Sequence, residues 1–335
     1  MPSDGDRTVE EVARITAMAA ITDPIAQAME DTRPAEMPEL PPFEGRDESR
    51  WLDSVYGMGF TAFDTAENYG KSEEVLGNWM ASRGIREELT VITKGCHPYE
   101  GRPRVSPGHL KRDFEQSLER LKTGYVDVYL LHRDDPEKPV GAILEALDSY
   151  VRAGKIRRIG ASNWTLERFR EANAYARERG LEPFSFTSPN YALARQVRDP
   201  WGGGCTSLSG EERAEERRWY GENGVDVIAY SSLAHGFLSG KVSSAEPDRL
   251  EALLDEGGRR GYMSPDNLER LARAERLAKE RGRTVPEIAL AYVLADPIGI
   301  LPAVSATKKE HLERNVSALD LHLTREECAW LDLRT

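Results

Sequence analysis

The chain has 335 residues, a formal net charge of −12 and 30% charged residues. That charge excludes the basic footprint of a nucleic-acid surface and suits a protein that handles small molecules. No apolar run approaches membrane-spanning length, and the acidic opening MPSDGDRTVEE lacks the basic and apolar regions of a signal peptide, so the chain reads as cytoplasmic with no membrane partner.

A chain of this length exceeds the usual domain size, but α/β barrels reach it with one core, so a single domain over residues 1–335 is expected. Residues 1–50 are its divergent N-terminal part. A mixed segment at 12–21 holds the candidate first strand at 12–15, and a Pro-rich acidic stretch covers 31–48. Helix is expected over 50–58. Strand-like runs then end at Asp64, Lys94 (LTVITK), His132 (VDVYLLH), Ser162 (KIRRIGAS), Ser188 (PFSFTS), Tyr230 (VDVIAY) and Val304 (GILPAV). Helix-like stretches alternate with them at 72–83, 107–122, 140–153, 166–179 and 265–281, several opened by Ser, Thr or Pro and closed by Gly, as at Ser72 with Gly84 and Thr165 with Gly180. This alternation predicts a parallel (β/α)8 TIM barrel with its chemistry at the strand ends.

Three stretches depart from the rhythm. A Gly-rich loop at 191–210, carrying Trp201, follows strand 6 and is a candidate substrate lid. A second long loop at 231–263 follows strand 7, and its Gly240-Lys241 lacks the glycine and Ser/Thr spacing of a phosphate loop. A terminal helix is expected over 324–333. Glu211 to Arg218 reads as a solvated helix face. Cys96, Cys205 and Cys328 are few, odd in number and far apart, which points to free thiols; no metal site is expected.

The stretch GFTAFDTAENYG, residues 59–70, places Asp64 at a strand end and lifts Tyr69 over it by a turn. A phenol serves as a general acid at neutral pH when a cation lowers its proton affinity, and Lys94, ending TVITK, is placed to be that cation. Asp64 would hold the buried ammonium. His132, ending an uncharged apolar strand, can donate a hydrogen bond to a substrate carbonyl. The four together make a site that protonates an oxyanion as hydride reaches carbon, and hydride requires a cofactor.

In FDTAENYG, VITKG, LLHRDDP, AGKIRRIGASNW, AYSSLAHGFLSGK and VSATKKEHLERN, taken in this order from about residue 50 onward, the chain resembles the aldo-keto reductase superfamily. The resemblance implies a (β/α)8 barrel, a nicotinamide cofactor and a catalytic tetrad at Asp64, Tyr69, Lys94 and His132. It assigns the carboxamide to Ser162 and Asn163, the ring-stacking aromatic to Tyr230, the pyrophosphate to Ser231 and Leu233, and the adenosine end to Ser305, Thr307, Lys308, His311 and Asn315. Where the family has Gln at the end of strand 6 this chain has Ser188, with Asn190 as the alternative amide. Where it often has an Arg for the 2′-phosphate this chain has His311, leaving Lys308 or Lys309. The glycine-rich end of the first strand is replaced by Met18-Ala19-Ala20.

The implied reaction is reduction of an aldehyde, ketone or keto sugar, with NADPH/NADP+ preferred over NADH, by a protein taken as a monomer. The alternatives are an NAD(P)-linked alcohol or sugar dehydrogenase and a nicotinamide-binding redox-sensing subunit. His97, Trp164 and Trp201 are candidate substrate contacts, with loop or packing roles as their alternatives, and His235 is a candidate cofactor contact.

Overall fold

The structure, a computed structural model, describes residues 16–18, 48–241, 243–306 and 308–335. The chain divides into two compact units, one running from Thr16 to Thr187 and the other including Ser188 to Thr335.

In the first unit β1 (Thr16–Met18) precedes α1 (Glu48–Gly57), β2 (Ala62–Asp64), α2 (Ser72–Arg83), β3 (Thr90–Gly95) and α3 (Pro107–Arg120). The run continues with β4 (Val126–Leu131), α4 (Gly141–Arg152), β5 (Ile156–Ser162), α5 (Leu166–Arg179) and β6 (Phe186–Ser188), whose last residue belongs to the second unit. Strands β1 to β5 pair in parallel, with Phe63 opposite Val91, Lys94 opposite Leu130 and Leu130 opposite Gly160. Every residue of β2 and β4 is buried, as expected where helices cover a parallel sheet.

The second unit holds α6 (Ala214–Glu222), β7 (Asp226–Ala229), α7 (Pro247–Leu253), α8 (Glu256–Tyr262), α9 (Pro265–Arg281) and α10 (Val285–Leu294). It ends with β8 (Leu301–Val304), α11 (Lys309–Ser317) and α12 (Arg325–Leu331). Strands β7 and β8 pair in parallel through Ile228 with Leu301. The strands follow one another sequentially from β1 to β8, the order of a closed (β/α)8 barrel.

Local chemistry explains the boundaries. Ser106, Thr165 and Ser264 accept hydrogen bonds from backbone N–H groups of the first turns of α3, α5 and α9, while Gly84, Gly180 and Gly282 end α2, α5 and α9 in left-handed conformation. Ser72 is not a cap. Lys71 precedes α2 without a side-chain cap, and the Ser72 hydroxyl instead accepts from Thr65 Oγ1 at 2.9 Å.

Other expectations shift in position or kind. The candidate strand at 12–15 lies outside the described residues, and β1 begins just after it. The stretch after strand 7 is no plain loop, because α7 and α8 lie within it. The C-terminal helix covers Arg325–Leu331, with Thr324 and Glu327 closing a capping box. The charge run 211–218 is solvated except at Arg217, which is buried, lies 2.8 Å from Asp296 and donates to the carbonyls of Leu208 and Gly210. Among the described residues no helix is long and apolar enough to cross a membrane, and no cluster of His, Cys, Asp and Glu is placed to hold a metal.

Candidate active site

Asp64 ends β2 and Lys94 lies next to last in β3, so parallel pairing of these strands brings the two side chains together. Lys94 Nζ donates to both Asp64 carboxylate oxygens at 2.6 Å and to the Thr65 carbonyl at 2.9 Å. Both side chains are at most 4% exposed. Burial disfavours charge on either group and pushes the Asp64 carboxyl up. At Lys94 burial is outweighed by Asp64, with Tyr69 adding to it, so the ammonium is held above the ordinary lysine value and stays charged.

Tyr69 sits half-buried on the loop after β2. The loop is fixed by backbone bonds: Thr65 N–H donates to Ile92, Glu67 N–H to Lys94 and Tyr69 N–H to Ala66. Lys94 Nζ lies 5.1 Å from the centre of the Tyr69 ring.

His132 follows β4 directly, and its N–H donates to the Gly95 carbonyl at 2.8 Å. Its ring stands edge-on to Tyr69 at 5.6 Å. Burial pushes the imidazole well below its ordinary value, with His97, Arg133 and Lys94 contributing, so it is neutral at physiological pH. Its Nδ1 is buried without a hydrogen-bond partner among the described residues. The structure thus brings Asp64, Tyr69, Lys94 and His132 into one cluster.

The segment after β3 carries His97, whose ring is 4.7 Å from that of His132. Its Nδ1 is 2.9 Å from the Pro98 carbonyl. Fully buried Asp113 of α3 accepts from the Cys96 N–H at 2.8 Å and from Arg104 at 2.6 Å, and Arg104 donates in turn to the His97 carbonyl at 2.9 Å. Cys96 is a buried free thiol pushed up to about 12, first by burial and then by Asp113. Gly95 is required by its neighbour: a Cβ there would lie 2.0 Å from the Tyr129 hydroxyl.

Ser162 and Asn163 are buried at the end of β5, and the Asn163 amide donates to Ser162 Oγ at 2.9 Å. Trp164 is buried against Phe184. Its Nε1 has no hydrogen-bond partner among the described residues.

In the second unit, Ser188 is buried at the end of β6. The alternative amide is engaged: fully buried Asn190 donates to the Tyr230 carbonyl and the Tyr262 hydroxyl and accepts from Ser207. Tyr230 is half-buried with Trp201 edge-on to it at 5.5 Å, and Trp201 lies 4.7 Å from His235. His235 Nδ1 is 3.5 Å from Asp255. Ser231 and Leu233 are half-buried, and Ser231, Ala234 and His235 all adopt positive φ.

The candidate lid is tied down within its unit. Val197 N–H donates to the Gly261 carbonyl, Arg260 donates to the Asp199 and Pro200 carbonyls, and Asp199 accepts from the N–H groups of Trp201 and Cys205. Ser305, Lys308 and His311 are exposed around the start of α11, whose first turn has no side-chain cap, and Asn315 is buried. Lys309 pairs with Glu313 at 3.3 Å, whereas Lys308 has no ion pair among the described residues. Thr307 lies outside them.

The clustered side chains can move a proton. An ammonium favours the ionised form of a nearby phenol, and a neutral imidazole can donate to a carbonyl oxygen. The supporting residues Glu67, Glu73, Asp113 and Arg120 escaped the sequence reading, because polar positions on helices and turns carry no sign of being buried.

Known proteins resemble this chain over most of its length. The chain is 31% identical over 294 residues to an aryl-alcohol dehydrogenase of Pestalotiopsis microspora, covering 82% of this chain and 69% of that one. It is 30% identical over 295 residues to an L-glyceraldehyde 3-phosphate reductase of Escherichia coli, covering 84% and 81%. Among solved structures it is similar to a thermostable aldo-keto reductase in complex with the inhibitor epalrestat, with a TM-score of 0.64 and 30% identity over 86% of this chain and 87% of that one. The aldo/keto reductase family model matches residues 41–333, and the chain belongs to that family of NAD(P)H-dependent oxidoreductases acting on small-molecule carbonyls.

Proposed function

We propose that the protein is an NADPH-dependent reductase of aldehydes, ketones or keto sugars in which Tyr69 is the general acid. The observation that carries this reading is the buried Lys94 ammonium, held by Asp64 at 2.6 Å and lying 5.1 Å from the Tyr69 ring. NADPH supplies the hydride when bound. Tyr69 gives its phenolic proton to the carbonyl oxygen as negative charge develops there. Lys94 stabilises the phenolate left behind, and Asp64 keeps Lys94 charged and oriented. His132, neutral and edge-on to Tyr69, orients the carbonyl oxygen by a hydrogen bond.

The residues assigned to the cofactor have chemistry that suits it. The half-buried aromatic face of Tyr230 suits a ring, and the uncapped start of α11 with Lys308, which has no ion pair among the described residues, suits a phosphate. Ser162 and Asn163 are assigned to the carboxamide. Ser231 and Leu233 are assigned to the pyrophosphate, and Ser305, His311 and Asn315 to the adenosine end. Replacing Tyr69 with Phe lowers kcat by about 10²–10⁴-fold and leaves NADPH affinity near the parental value. Undiminished turnover of a carbonyl panel by that variant would overturn the assignment.

A second reading is supported by the similarity to an aryl-alcohol dehydrogenase. The same residues oxidise an alcohol with NADP+ when Tyr69 acts as the base. Relative rates in the two directions at matched cofactor concentrations separate the readings.

A further inference from the structure

Two carboxylic acids that this chemistry does not use lie beneath the Tyr69 loop. Glu67, two residues before Tyr69, is 3% exposed, and Glu73 in the first turn of α2 is fully buried. Both face the guanidinium of Arg120 at the end of α3. Arg120 Nη1 donates to the Glu67 carbonyl at 2.9 Å and lies 3.9 Å from Glu67 Oε1 and 3.6 Å from Glu73 Oε2. With its amide nitrogen turned toward Glu67 Oε1 at 3.3 Å, Gln116 accepts from Arg120 Nη2 at 2.8 Å. The other Glu73 oxygen accepts from Thr93 Oγ1 at 2.6 Å, on the residue preceding Lys94.

The Glu67 backbone is held from both sides. Its carbonyl accepts from Arg120, and its N–H donates to the Lys94 carbonyl at 2.8 Å. The turn that carries Tyr69 starts there, since Tyr69 N–H donates to the Ala66 carbonyl. The end of α3 is itself fixed: a Cβ at Gly77 of α2 would lie 2.2 Å from the Arg120 carbonyl oxygen. One guanidinium therefore sits between a rigid helix end and the backbone shared by Tyr69 and Lys94.

We propose that Arg120 is a positioning residue for the reaction, setting Tyr69 against Lys94 through the Glu67 carbonyl while compensating the buried Glu67 and Glu73. This rests on the roles assigned above to Tyr69 and Lys94. Charge compensation alone would make Arg120 a purely structural residue, and a charge-balanced variant separates the two. Arg120→Met with Glu73→Gln removes one positive and one negative charge, so the net charge of the cluster is that of the parent, but the bond to the Glu67 carbonyl is gone.

The test compares Arg120→Lys, Arg120→Met and the Arg120→Met/Glu73→Gln double variant. It follows thermal midpoint, NADPH affinity, kcat with a carbonyl substrate, and the titration of Tyr69 by NMR of ¹³Cζ-labelled tyrosine, assigned through Tyr69→Phe. The double variant is expected to regain most of the thermal stability lost in Arg120→Met. Its kcat is expected to stay on the order of 10²-fold low with NADPH affinity unchanged, and its Tyr69 titration to stay about one pH unit high. Arg120→Lys is expected to fall between parent and Arg120→Met.

Recovery of kcat and of the Tyr69 titration together with stability would overturn the proposal, as would an unchanged titration in Arg120→Met. Because the titration needs no turnover, a parent protein inactive on every carbonyl but with a titration that moves as expected would refute the functional reading and leave the positioning role standing.

Discussion

Replacing Lys94 with Met strands the Asp64 carboxylate, and the size of the effect follows from the geometry. The carboxylate accepts two bonds of 2.6 Å from Lys94 and is 4% exposed, so no solvent replaces the lost ammonium. Removing one partner of such a pair costs about 3–5 kcal/mol. Protonation of the stranded carboxyl is the alternative, and it too lowers stability at pH 7, because an unfolded Asp releases that proton at about pH 3.9.

The sign of the pH dependence follows. Burial raises Asp64 in the folded state, so between its unfolded and folded values the native variant binds more protons than the unfolded chain. Its stability therefore falls as pH rises. The penalty relative to the parent should be largest at pH 7, smaller at pH 5 and smallest near pH 4, where the unfolded Asp is itself largely protonated. Urea unfolding at these three pH values measures it. Adding Asp64→Leu to Lys94→Met should recover most of the stability at pH 7 and none of the activity. A single variant as stable as the parent at pH 7, or a penalty independent of pH, would refute the assignment of a dry ion pair.

Lys308→Ala should weaken NADPH binding in a fluorescence titration and leave NADH binding near the parental value. Lys309→Ala should do neither, because Lys309 already pairs with Glu313; equal losses for both cofactors at Lys308 would remove it from the 2′-phosphate. Gly95→Ala should destabilise the protein by about 1–3 kcal/mol, since the new methyl meets the Tyr129 hydroxyl. Adding Tyr129→Phe should return part of that loss in the same unfolding assay, and no recovery would show that the strain lies elsewhere.

The cluster of Asp64, Tyr69, Lys94 and His132 was legible because a charged or polar residue closing an apolar strand run is conspicuous. Asp64, Lys94 and His132 each do so, and Tyr69 follows a turn of recognisable composition. Helix α10 was not legible, because nearly all of it is buried and an element apolar all round has no period to read. Its capping box, Thr284 with Glu287, was the available signal. Helices α7 and α8 are seven residues each, too short for a periodic pattern. Arg217 looked solvated because its neighbours are, and only Asp296, 79 positions later, makes it a buried ion pair. Glu73 and Asp113 are hidden in the same way: each reads as an ordinary helix-surface acid until a distant partner buries it.

The backbone carries a further layer that composition does not reveal. Cys96, Asn163 and Ser231 adopt positive φ, and each stands within two residues of the end of a strand, β3, β5 and β7 respectively. A non-glycine residue in that region costs on the order of 1–3 kcal/mol, so a glycine would relieve strain at all three. Each position has a different reason for a side chain or its geometry. Asn163 donates through its amide to Ser162, and Cys96 fills a fully buried space while its N–H meets Asp113. Ser231 opens a stretch in which Ala234 and His235 are also left-handed, and its carbonyl accepts from the Ala234 N–H at 2.8 Å. Strain that recurs where β3, β5 and β7 give way to loops is what a site built on strand ends produces: the chain must turn sharply there, and it keeps side chains with polar or packing work where glycine would turn more easily.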